Sequence, residues 1–421
     1  MARVLLATFG SLGDLHPYIA VGRALRARGH QARIATSSDY QSNVAAAGLE
    51  FAPVAPSLVE LGTPQELARR VADPMRGTQT LVRDLLMPHL RESHQQLREA
   101  ARDADLLISH PLTFMVQVVA AEQHKPWLST VLAPASFLSR HDPPAMAPIN
   151  SMQIAHRLGP WAYDALMRLI RGTVRRWEQP LHELRAELGM PRSRKIMMFE
   201  GQFSPAGTLA LFDAPLMQPQ PDWPPHTRVC GAPLYEGATP DPALLASLHE
   251  FLAAGDAPIV FALGSSAVWL GGDFWPAAIE AARQLGRRAI LLTGMDRLPD
   301  LPASVRVFNY LPYSYVFAHA CAVVHQAGIG TLSQALRAGR PQLLTPVWFD
   351  QPDNAARACK LGVARTLPFG RVTAARLAQQ LRRLLGNSAY AAAAQDLATT
   401  LNRADGAPIV AGYALEALGS A

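Results

Sequence analysis

The chain of 421 residues is poor in cysteine and has no long apolar run. Its three cysteines, Cys230, Cys321 and Cys359, are too few and too scattered for a disulfide framework or a zinc site, so we predict a reducing, cytoplasmic setting. No stretch of about 18 apolar residues occurs, which argues against a transmembrane helix. The first apolar run, Val4 to Phe9, is too short for a secretory signal peptide.

Lysine is also scarce, occurring only at positions 125, 195 and 360, so the net charge of +6 comes from arginine. The arginines are spread along the chain rather than grouped in one block, and nucleic acid is therefore not a predicted partner. With 49% hydrophobic and 17% charged residues, the composition is typical of a globular protein with an ample core. The length indicates two domains.

Short apolar runs alternate with helical patterns, which predicts an α/β fold with parallel sheets. We interpret as strands the runs Arg3–Phe9, Gln31–Thr36, Asp105–Ser109, Trp127–Val131, Thr208–Phe212, Pro258–Leu263, Arg288–Thr293, Val305–Phe308, Ala322–His325 and Gln342–Thr345. A proline-rich linker at about 213–256 separates two similar halves, each opening with a strand that runs into a glycine turn. We therefore predict domains over 1–225 and 226–404, and a C-terminal helix over 405–421 that returns to the first domain.

The densest motif lies at 325–354. It reads His325-Gln326-Ala327-Gly328-Ile329-Gly330-Thr331, then Gly339-Arg340-Pro341, Asp350-Gln351 and Asn354-Ala355. A strand ending at His325 runs into glycines that let a ligand approach the backbone, and a helix begins near Thr331. The N–H groups and dipole of such a helix N-terminus bind phosphate.

This segment resembles the His-Gly-Gly-x-Gly-Thr, Pro, Asp-Gln, Asn-Ala pattern of the GT-B glycosyltransferases that use UDP- or dTDP-activated sugars. The Gly-Ser-x-Gly-Asp-x-x-Pro motif of that family matches Gly10–Pro17. These two segments and Ser204–Pro225 are most similar to bacterial rhamnosyltransferases acting on hydroxylated fatty acids or flavonoids. The resemblance implies the GT-B fold, in which two Rossmann-like domains face an interdomain cleft, with the donor on residues 264–354.

In that family the glycine turn and the helix start hold the donor diphosphate. The resemblance assigns this role to Gly328, Gly330 and Thr331. Ser265 matches a serine that contacts phosphate from another loop. From the residues alone, Ser265 as a plain turn residue remains an alternative.

The resemblance also implies contacts to the base and the sugar. Tyr310 matches an aromatic residue that stacks on the base, and Leu311 matches the next residue, whose backbone bonds it. Asp350 and Gln351 match a pair that holds sugar hydroxyls, which carboxylate and amide groups suit. Tyr310 as an ordinary packing residue and Asp350 as a helix N-cap remain alternatives.

Two positions depart from the family pattern. Relatives often carry two adjacent histidines before the glycines, the second on phosphate, whereas this chain has His325 followed by Gln326. Either His325 makes the phosphate contact instead, or Gln326 makes it without charge. We keep both as candidate donor-binding residues and expect His325 to contribute more to donor binding. A ribose-binding glutamate of relatives is Gln334 here, which puts the ribose contact in doubt.

Asp14 stands three residues before Pro17, where relatives carry an aspartate or a histidine as general base. The reaction needs a base because an alcohol loses its proton as it attacks the anomeric carbon. We predict that Asp14 is this base; the alternative is that it only caps the following helix. His16, Phe137 and His141 are candidate acceptor contacts, with plain loop residues as the alternative.

Two other patterns have structural interpretations that we favour. Asp103-Ala104-Asp105 resembles a metal-binding Asp-x-Asp, but its position at a helix end indicates turn and capping chemistry, and we predict no metal site. The helical pattern over 160–178 places Ala162, Leu166, Leu169, Ile170, Val174 and Trp177 opposite arginines 168, 171, 175 and 176. We interpret it as a helix packed on its own domain; a lid over an apolar acceptor or a weak membrane face are the alternatives.

The resemblance implies an inverting, metal-independent glycosyltransferase without a cofactor beyond its nucleotide-sugar co-substrate. We expect transfer of L-rhamnose from dTDP-rhamnose, or of glucose from UDP-glucose, to a hydroxyl of a small hydrophobic acceptor such as a flavonoid or hydroxyacyl lipid. The expected membrane contact is peripheral at most. An inactive sugar-nucleotide-binding subunit is an alternative. A nucleotide-cofactor oxidoreductase is disfavoured because Ser333 stands where its third fingerprint glycine belongs.

Overall fold

The computed structural model describes residues 1–146, 150–237, 239–294, 301–403 and 405–419. The chain divides into two compact units, one of Met1–Tyr235 with Asp405–Ala421 and the other of Glu236–Ala404. Each unit contains one parallel β-sheet whose strands are connected through helices, so the predicted α/β class with two such sheets is confirmed.

The sheet of the first unit has seven parallel strands in the order β3-β2-β1-β4-β5-β6-β7. Their bounds are β1 Arg3–Ala7, β2 Gln31–Thr36, β3 Glu50–Pro53, β4 Leu106–Ser109, β5 Trp127–Val131, β6 Thr208–Ala210 and β7 Thr227–Val229. β4 is buried along its whole length, as expected for a central strand covered on both faces. The strand order reverses between β1 and β4, where Ala7 pairs with Ser109.

Nine helices of this unit precede the second sheet in the described part of the chain. They are α1 Leu12–Ala27, α2 Gln41–Ala46, α3 Pro64–Val71, α4 Gly77–Gln79, α5 Leu90–Ala100, α6 Met115–Glu122, α7 Ser151–Arg157, α8 Pro160–Trp177 and α9 Gln179–Glu187. A π-helical segment, Thr80–Leu86, links α4 toward α5. α1 begins after Ser11 because this serine caps it, and α3 begins at Pro64 because Thr63 and Glu66 form a capping box.

The sheet of the second unit has six parallel strands in the order β10-β9-β8-β11-β12-β13. Their bounds are β8 Ile259–Ala262, β9 Ala289–Leu292, β10 Val305–Phe308, β11 Ala322–His325, β12 Gln342–Leu344 and β13 Ala364–Thr366. The helices are α10 Pro242–Ala253, α11 Gly264–Ala267, α12 Phe274–Gln284, α13 Tyr313–Val316, α14 Ile329–Arg337, α15 Gln351–Lys360, α16 Ala374–Leu385 and α17 Ser388–Leu401. Here the strand order reverses between β8 and β11, where Ala262 pairs with His325.

The last helix, α18 (Gly406–Gly419), packs on α1 and so belongs to the first unit. Gly406 permits the approach, because a Cβ there would lie 2.3 Å from the carbonyl oxygen of Gly231. The stretch that we interpreted as a linker, 213–256, contains β7 and α10, since Pro242 and its cap Asp241 start a helix. Within the described residues, no helix combines the length and apolarity needed to cross a membrane.

Candidate active site

Both sheets place polar loops at the point where their strand order reverses. In open parallel sheets, ligands bind outside the carboxyl ends of the strands at such a switch point. In the first unit, Asp14 lies in the first turn of α1, the helix that follows β1, and His110 directly follows β4. In the second unit, Gly264 lies just after β8 and Gln326 directly after β11.

Asp14 is the third residue of α1 and forms a capping box with Ser11. Its Oδ2 accepts the backbone N–H of Ser11 at 2.7 Å and the Ser11 hydroxyl at 3.0 Å. The positive end of the helix dipole also favours an anion here. The side chain nevertheless keeps 32% of its surface exposed, so the cap is present and leaves the carboxylate accessible.

His110 lies beside the second oxygen of this carboxylate. Its Nε2 is 3.4 Å from Oδ1 of Asp14, and its Nδ1 accepts the backbone N–H of Leu112 at 3.1 Å. Because Nδ1 accepts, the proton of the neutral ring is on Nε2 and faces Asp14. The sequence analysis missed His110, although its position directly after an apolar run was the signal that could have found it.

The turn that carries Asp14 is fixed by its surroundings. Thr8 donates its hydroxyl to the Asp14 carbonyl at 2.9 Å, and Tyr40 donates its hydroxyl to the Gly10 carbonyl at 3.0 Å. Gly10 has a φ of 136°, and a Cβ at this position would lie 2.3 Å from Oδ2 of Asp14. The glycine of the motif is therefore required by the position of the carboxylate.

His16, a predicted acceptor contact, packs against Tyr235 with ring centroids 5.3 Å apart. Burial lowers the pKa of His16 to about 4, against a smaller raising effect from a hydrogen bond to the Tyr235 backbone. The ring is therefore neutral near pH 7. These contacts do not support the acceptor role, because they already engage the His16 ring with Tyr235.

Phe137 and His141, the other predicted acceptor contacts, have different surroundings. Phe137 is buried and stacks on Trp223 with centroids 4.0 Å apart, which makes it part of an aromatic cluster. His141 is exposed, and its backbone N–H donates to the Ser139 hydroxyl at 3.1 Å. The position of Phe137 therefore indicates a packing role, whereas His141 remains open to a ligand.

In the second unit, the turns after β8 and β11 pack closely. A Cβ on Gly264, which has a φ of 66°, would lie 2.1 Å from Nε2 of Gln326, and one on Gly328 would lie 2.7 Å from it. Oε1 of Gln326 is buried and has no hydrogen-bond partner among the described residues. Buried polar atoms normally have a partner, so this amide oxygen is a candidate ligand contact.

His325 is fully buried and both of its ring nitrogens are engaged. Nδ1 accepts the backbone N–H of Ala327 at 3.1 Å, and Nε2 lies 2.9 Å from Oε1 of Gln342. Burial lowers the pKa of His325 to about 4, so the ring is neutral. The engaged ring argues against His325 as the diphosphate contact that we expected from the sequence, and it leaves Gln326, which would donate through its Nε2 because its Oε1, like the phosphate oxygens, only accepts.

The predicted diphosphate residues surround the start of α14. Gly328 is its N-cap residue and makes no side-chain cap, so the first N–H groups of the helix are not satisfied by a capping side chain. No heavy atom lies within 4 Å of a Cβ built on Gly330, which leaves the backbone approachable. The Thr331 hydroxyl bonds the half-buried Tyr313, and Gln334 is half-buried one turn further on.

The predicted base-binding residues follow β10. Tyr310 keeps 50% of its surface exposed, and its hydroxyl donates to the carbonyl of Glu236. An exposed ring held at its far end offers a face to a planar base. Leu311 is buried in the apolar core, so only its backbone is available to a ligand. Ser265 is exposed in α11, so its side chain is available.

The predicted sugar-binding pair stands at the start of α15. Oδ2 of Asp350 accepts from Nδ2 of Asn354 at 2.6 Å, and the same amide donates to the Ala327 carbonyl at 3.0 Å. Oε1 of Gln351 accepts the backbone N–H of Val347 at 2.9 Å. Asp350 is the N-cap residue but makes no side-chain cap. Asn354 thus ties the start of α15 to the turn after β11.

Asp103 and Asp105, which resemble a metal motif, are engaged with arginines. Oδ1 of Asp103 is 2.8 Å from Arg33, whose guanidinium lowers the pKa of this carboxylate, and Asp105 accepts the backbone N–H of Arg3 at 2.8 Å. Across the described residues, no group of histidine, cysteine or acidic side chains is arranged to hold a metal ion.

Two family models match separate parts of the chain. The Glycosyltransferase family 28 N-terminal domain matches residues 4–117, and the Erythromycin biosynthesis protein CIII-like C-terminal domain matches residues 289–417. The chain is also similar to the solved glycosyltransferase VinC in complex with dTDP, with a TM-score of 0.69 over 100% of both chains at 19% identity. That likeness shows the fold.

Similarity to characterised sequences extends over most of the chain. It is 31% identical over 420 residues to O-mycaminosyltylonolide 6-deoxyallosyltransferase of Streptomyces fradiae, covering 94% of this chain and 92% of that one. It is 28% identical over 387 residues to sterol 3-beta-glucosyltransferase of Neosartorya fischeri, spanning only 26% of that protein's length. With two parallel α/β units and a full-length relative of this kind, the chain belongs to the GT-B glycosyltransferase family.

Proposed function

We propose that the chain is an inverting glycosyltransferase that moves a sugar from a nucleotide sugar to a hydroxyl of a small hydrophobic acceptor, with Asp14 as general base. The observation that carries the proposal is the accessible Asp14 carboxylate at the switch point of its sheet. Ser11 fixes one oxygen of this carboxylate, and His110 lies beside the other. A base needs this combination of fixed geometry and access.

In the proposed reaction, the acceptor oxygen attacks the anomeric carbon of the sugar while Asp14 takes its proton. The bond between that carbon and the diphosphate oxygen breaks, and the nucleoside diphosphate leaves with the electron pair. Attack from the face opposite the leaving group inverts the anomeric configuration. Proton transfer to a positioned base typically contributes about 10²–10⁴-fold to the rate.

The departing diphosphate needs its negative charge stabilised. The start of α14, whose N–H groups have no capping side chain, supports a role in this stabilisation. Gln326 adds a neutral amide beside Gly264 and Gly328. Backbone N–H groups and the helix dipole suffice for such a leaving group, so we propose that transfer needs no metal ion.

For the donor, we propose a dTDP-activated 6-deoxyhexose, with L-rhamnose first and UDP-glucose as the alternative. The name of the Streptomyces fradiae relative, a 6-deoxyallosyltransferase, supports a deoxy sugar. The fold likeness to VinC, solved with dTDP, is compatible with that nucleotide. One buried methyl of the thymine base is worth about 1 kcal/mol, or about fivefold in affinity, so some use of UDP-sugars is expected.

For the acceptor, we propose an apolar molecule with one reactive hydroxyl, such as a flavonoid or a hydroxyacyl lipid. The name of the Neosartorya fischeri relative, a sterol 3-beta-glucosyltransferase, supports an apolar acceptor. His141 is the exposed side chain in the proposed acceptor region.

The decisive experiment incubates the enzyme with dTDP-rhamnose or UDP-glucose and with a flavonol, a hydroxyacyl lipid or a sterol, and detects products by mass spectrometry. A deoxyhexose adduct on an apolar acceptor is the expected result. A preference for UDP-glucose above about a hundredfold, beyond what one methyl can offset, contradicts the donor proposal. Turnover only with sugar or protein acceptors contradicts the acceptor proposal, and donor binding without any transfer supports an inactive subunit.

A further inference from the structure

Helices α7 and α8 and the turn between them present apolar side chains to solvent, and the proposed reaction does not use these side chains. Ile154, Leu158, Trp161 and Leu169 are 48%, 65%, 72% and 70% exposed, respectively. Trp161 and Leu169 lie about two turns apart on α8, so they share one face of this helix. We call these four residues, with the arginines beside them, the α7–α8 surface.

The opposite face of α8 already has its core contacts. Tyr163, Met167 and Val174 are buried in one cluster with Met152 and Phe199. The interpretation of a helix packed on its own domain is therefore correct for this face. Our sequence analysis was wrong about Leu169, which it placed on the packed face and which is exposed. The outward apolar strip is thus additional to the packing that stabilises the helix.

The same surface carries excess positive charge. Arg157, Arg168 and Arg176 are exposed and make no ion pair with any residue that the structure describes. Arg171 is neutralised by Glu200 at 2.6 Å, and Asp164 is the one acidic residue in the sequence of α8. The exposed apolar side chains match an apolar layer such as lipid acyl chains, and the guanidinium groups without ion pairs match a negatively charged layer above it.

We propose that the α7–α8 surface docks the enzyme on a lipid bilayer with anionic headgroups. Tryptophan favours the interface between headgroups and acyl chains, and arginines keep their charge at headgroup level while their stems lie on apolar material. No described helix is able to span a membrane, so the contact is peripheral. Charge complementarity selects an anionic bilayer over a neutral one.

Docking here is independent of glycosyl transfer. We would measure cosedimentation of the full chain with vesicles of phosphatidylcholine alone and of phosphatidylcholine mixed with phosphatidylglycerol, without donor or acceptor. Strong binding is expected only with the anionic vesicles, and added salt weakens it because exposed charges are screened. Failure of this binding overturns the docking proposal and leaves the proposed transfer reaction untouched.

Two variants test the two components separately. Trp161→Ala with Leu169→Ala removes the apolar anchors, and Arg168→Gln with Arg176→Gln removes charge. Each arginine contributes about fivefold to partitioning, the factor for about 1 kcal/mol near an anionic surface. The charge variant should therefore lose about 25-fold, and the apolar variant should also lose binding, while both keep the melting temperature of the unmodified protein.

A matched control removes one exposed apolar side chain and one exposed arginine from the second unit, Leu244→Ala with Arg382→Gln. It should bind vesicles like the unmodified protein. Equal binding by the control and both variants overturns the proposal, as does equal binding of the unmodified protein to neutral vesicles. Oligomers in lipid-free buffer that dissociate only in the apolar variant would assign the surface to a second copy instead.

Discussion

The Nε2–H of His110 faces Oδ1 of Asp14 from 3.4 Å, and the two residues follow neighbouring strands of one sheet. This distance is longer than the usual N–H···O hydrogen bond of about 2.7–3.2 Å, so the contact is an electrostatic approach. Because the backbone of Leu112 fixes the tautomer of His110, the ring presents a donor to this carboxylate. We propose that His110 acts as a positioning residue, which keeps Asp14 oriented without touching the substrate.

Asp14→Asn should fold with near-normal stability, bind the donor normally, and lose turnover on the order of 10²-fold or more. Asparagine keeps one oxygen for the Ser11 N–H and caps helices about as well as aspartate, but it cannot take a proton. Melting temperature, nucleotide affinity and turnover should be measured together. Near-normal turnover in Asp14→Asn would show that the residue only caps α1, and Asp14→Ala should then lose stability instead.

Replacing His110 with alanine should lower kcat about tenfold with little change in the KM for the donor, since the residues that we propose for the donor lie in the other unit. His110→Gln retains an N–H donor and should recover part of the loss. A purely structural role predicts equal damage in both variants, following their melting temperatures. In the Asp14→Asn background, His110→Ala should cost little further turnover, because the two residues act as a unit.

Gln326→Ala should weaken binding of dTDP or UDP roughly tenfold, the loss of one hydrogen bond in a buried site. His325→Ala should instead lower the free energy of unfolding by about 2–4 kcal/mol, because it strands the Ala327 N–H and the Gln342 amide in the core. Calorimetric titration with nucleotide and urea denaturation of both variants separate these effects. A larger loss of nucleotide affinity in a well-folded His325→Ala would restore the histidine assignment.

Ten of the strands were predictable from short runs rich in apolar residues. β2, β5, β10 and β11 begin and end where the sequence analysis placed them. The edge strands β3, β7 and β13 were missed. β7 is three residues long and none of its residues is buried, so it offers no hydrophobic pattern to detect.

The local setting of Asp14 was predictable, because its glycine motif forms the turn between β1 and α1 and places Asp14 in the first turn of that helix. The partner His110 depends on β1 and β4 being neighbours, and strand order is a tertiary property. The local sequence also does not reveal whether the side chain of His325 or that of Gln326 is hydrogen-bonded within the core. His325 is held there by Gln342, which lies on the neighbouring strand β12.

Turnover should survive chelation with EDTA. Among the described residues no cluster of metal-ligating side chains is found, and the proposed diphosphate contacts are an amide and helix N–H groups. Assays with and without chelator, after dialysis against it, test this directly. Complete loss of turnover that magnesium or manganese restores would mean that a cation neutralises the diphosphate instead.

Glu178 provides a test of pH dependence in the first unit. Its side chain is buried, Oε1 accepts the N–H groups of Met197 at 2.6 Å and Met198 at 3.3 Å, and Oε2 has no partner among the described residues. Burial raises the pKa of Glu178 from 4.5 to about 7, although the two N–H groups oppose the shift. The folded protein therefore holds this proton more tightly than the unfolded chain does.

The sign of the effect follows from this difference. The stability that the bound proton contributes is fully present below the unfolded pKa of 4.5 and is lost as pH rises through about 7. Glu178→Gln stays neutral and retains an oxygen for the two N–H groups, so it should avoid this loss. We expect the variant to exceed the unmodified protein in free energy of unfolding by about 1–3 kcal/mol at pH 8, with little difference near pH 4. Urea denaturation at both pH values measures this, with the exposed Glu183→Gln as control. A difference that stays constant with pH would show that folding does not shift the pKa of Glu178.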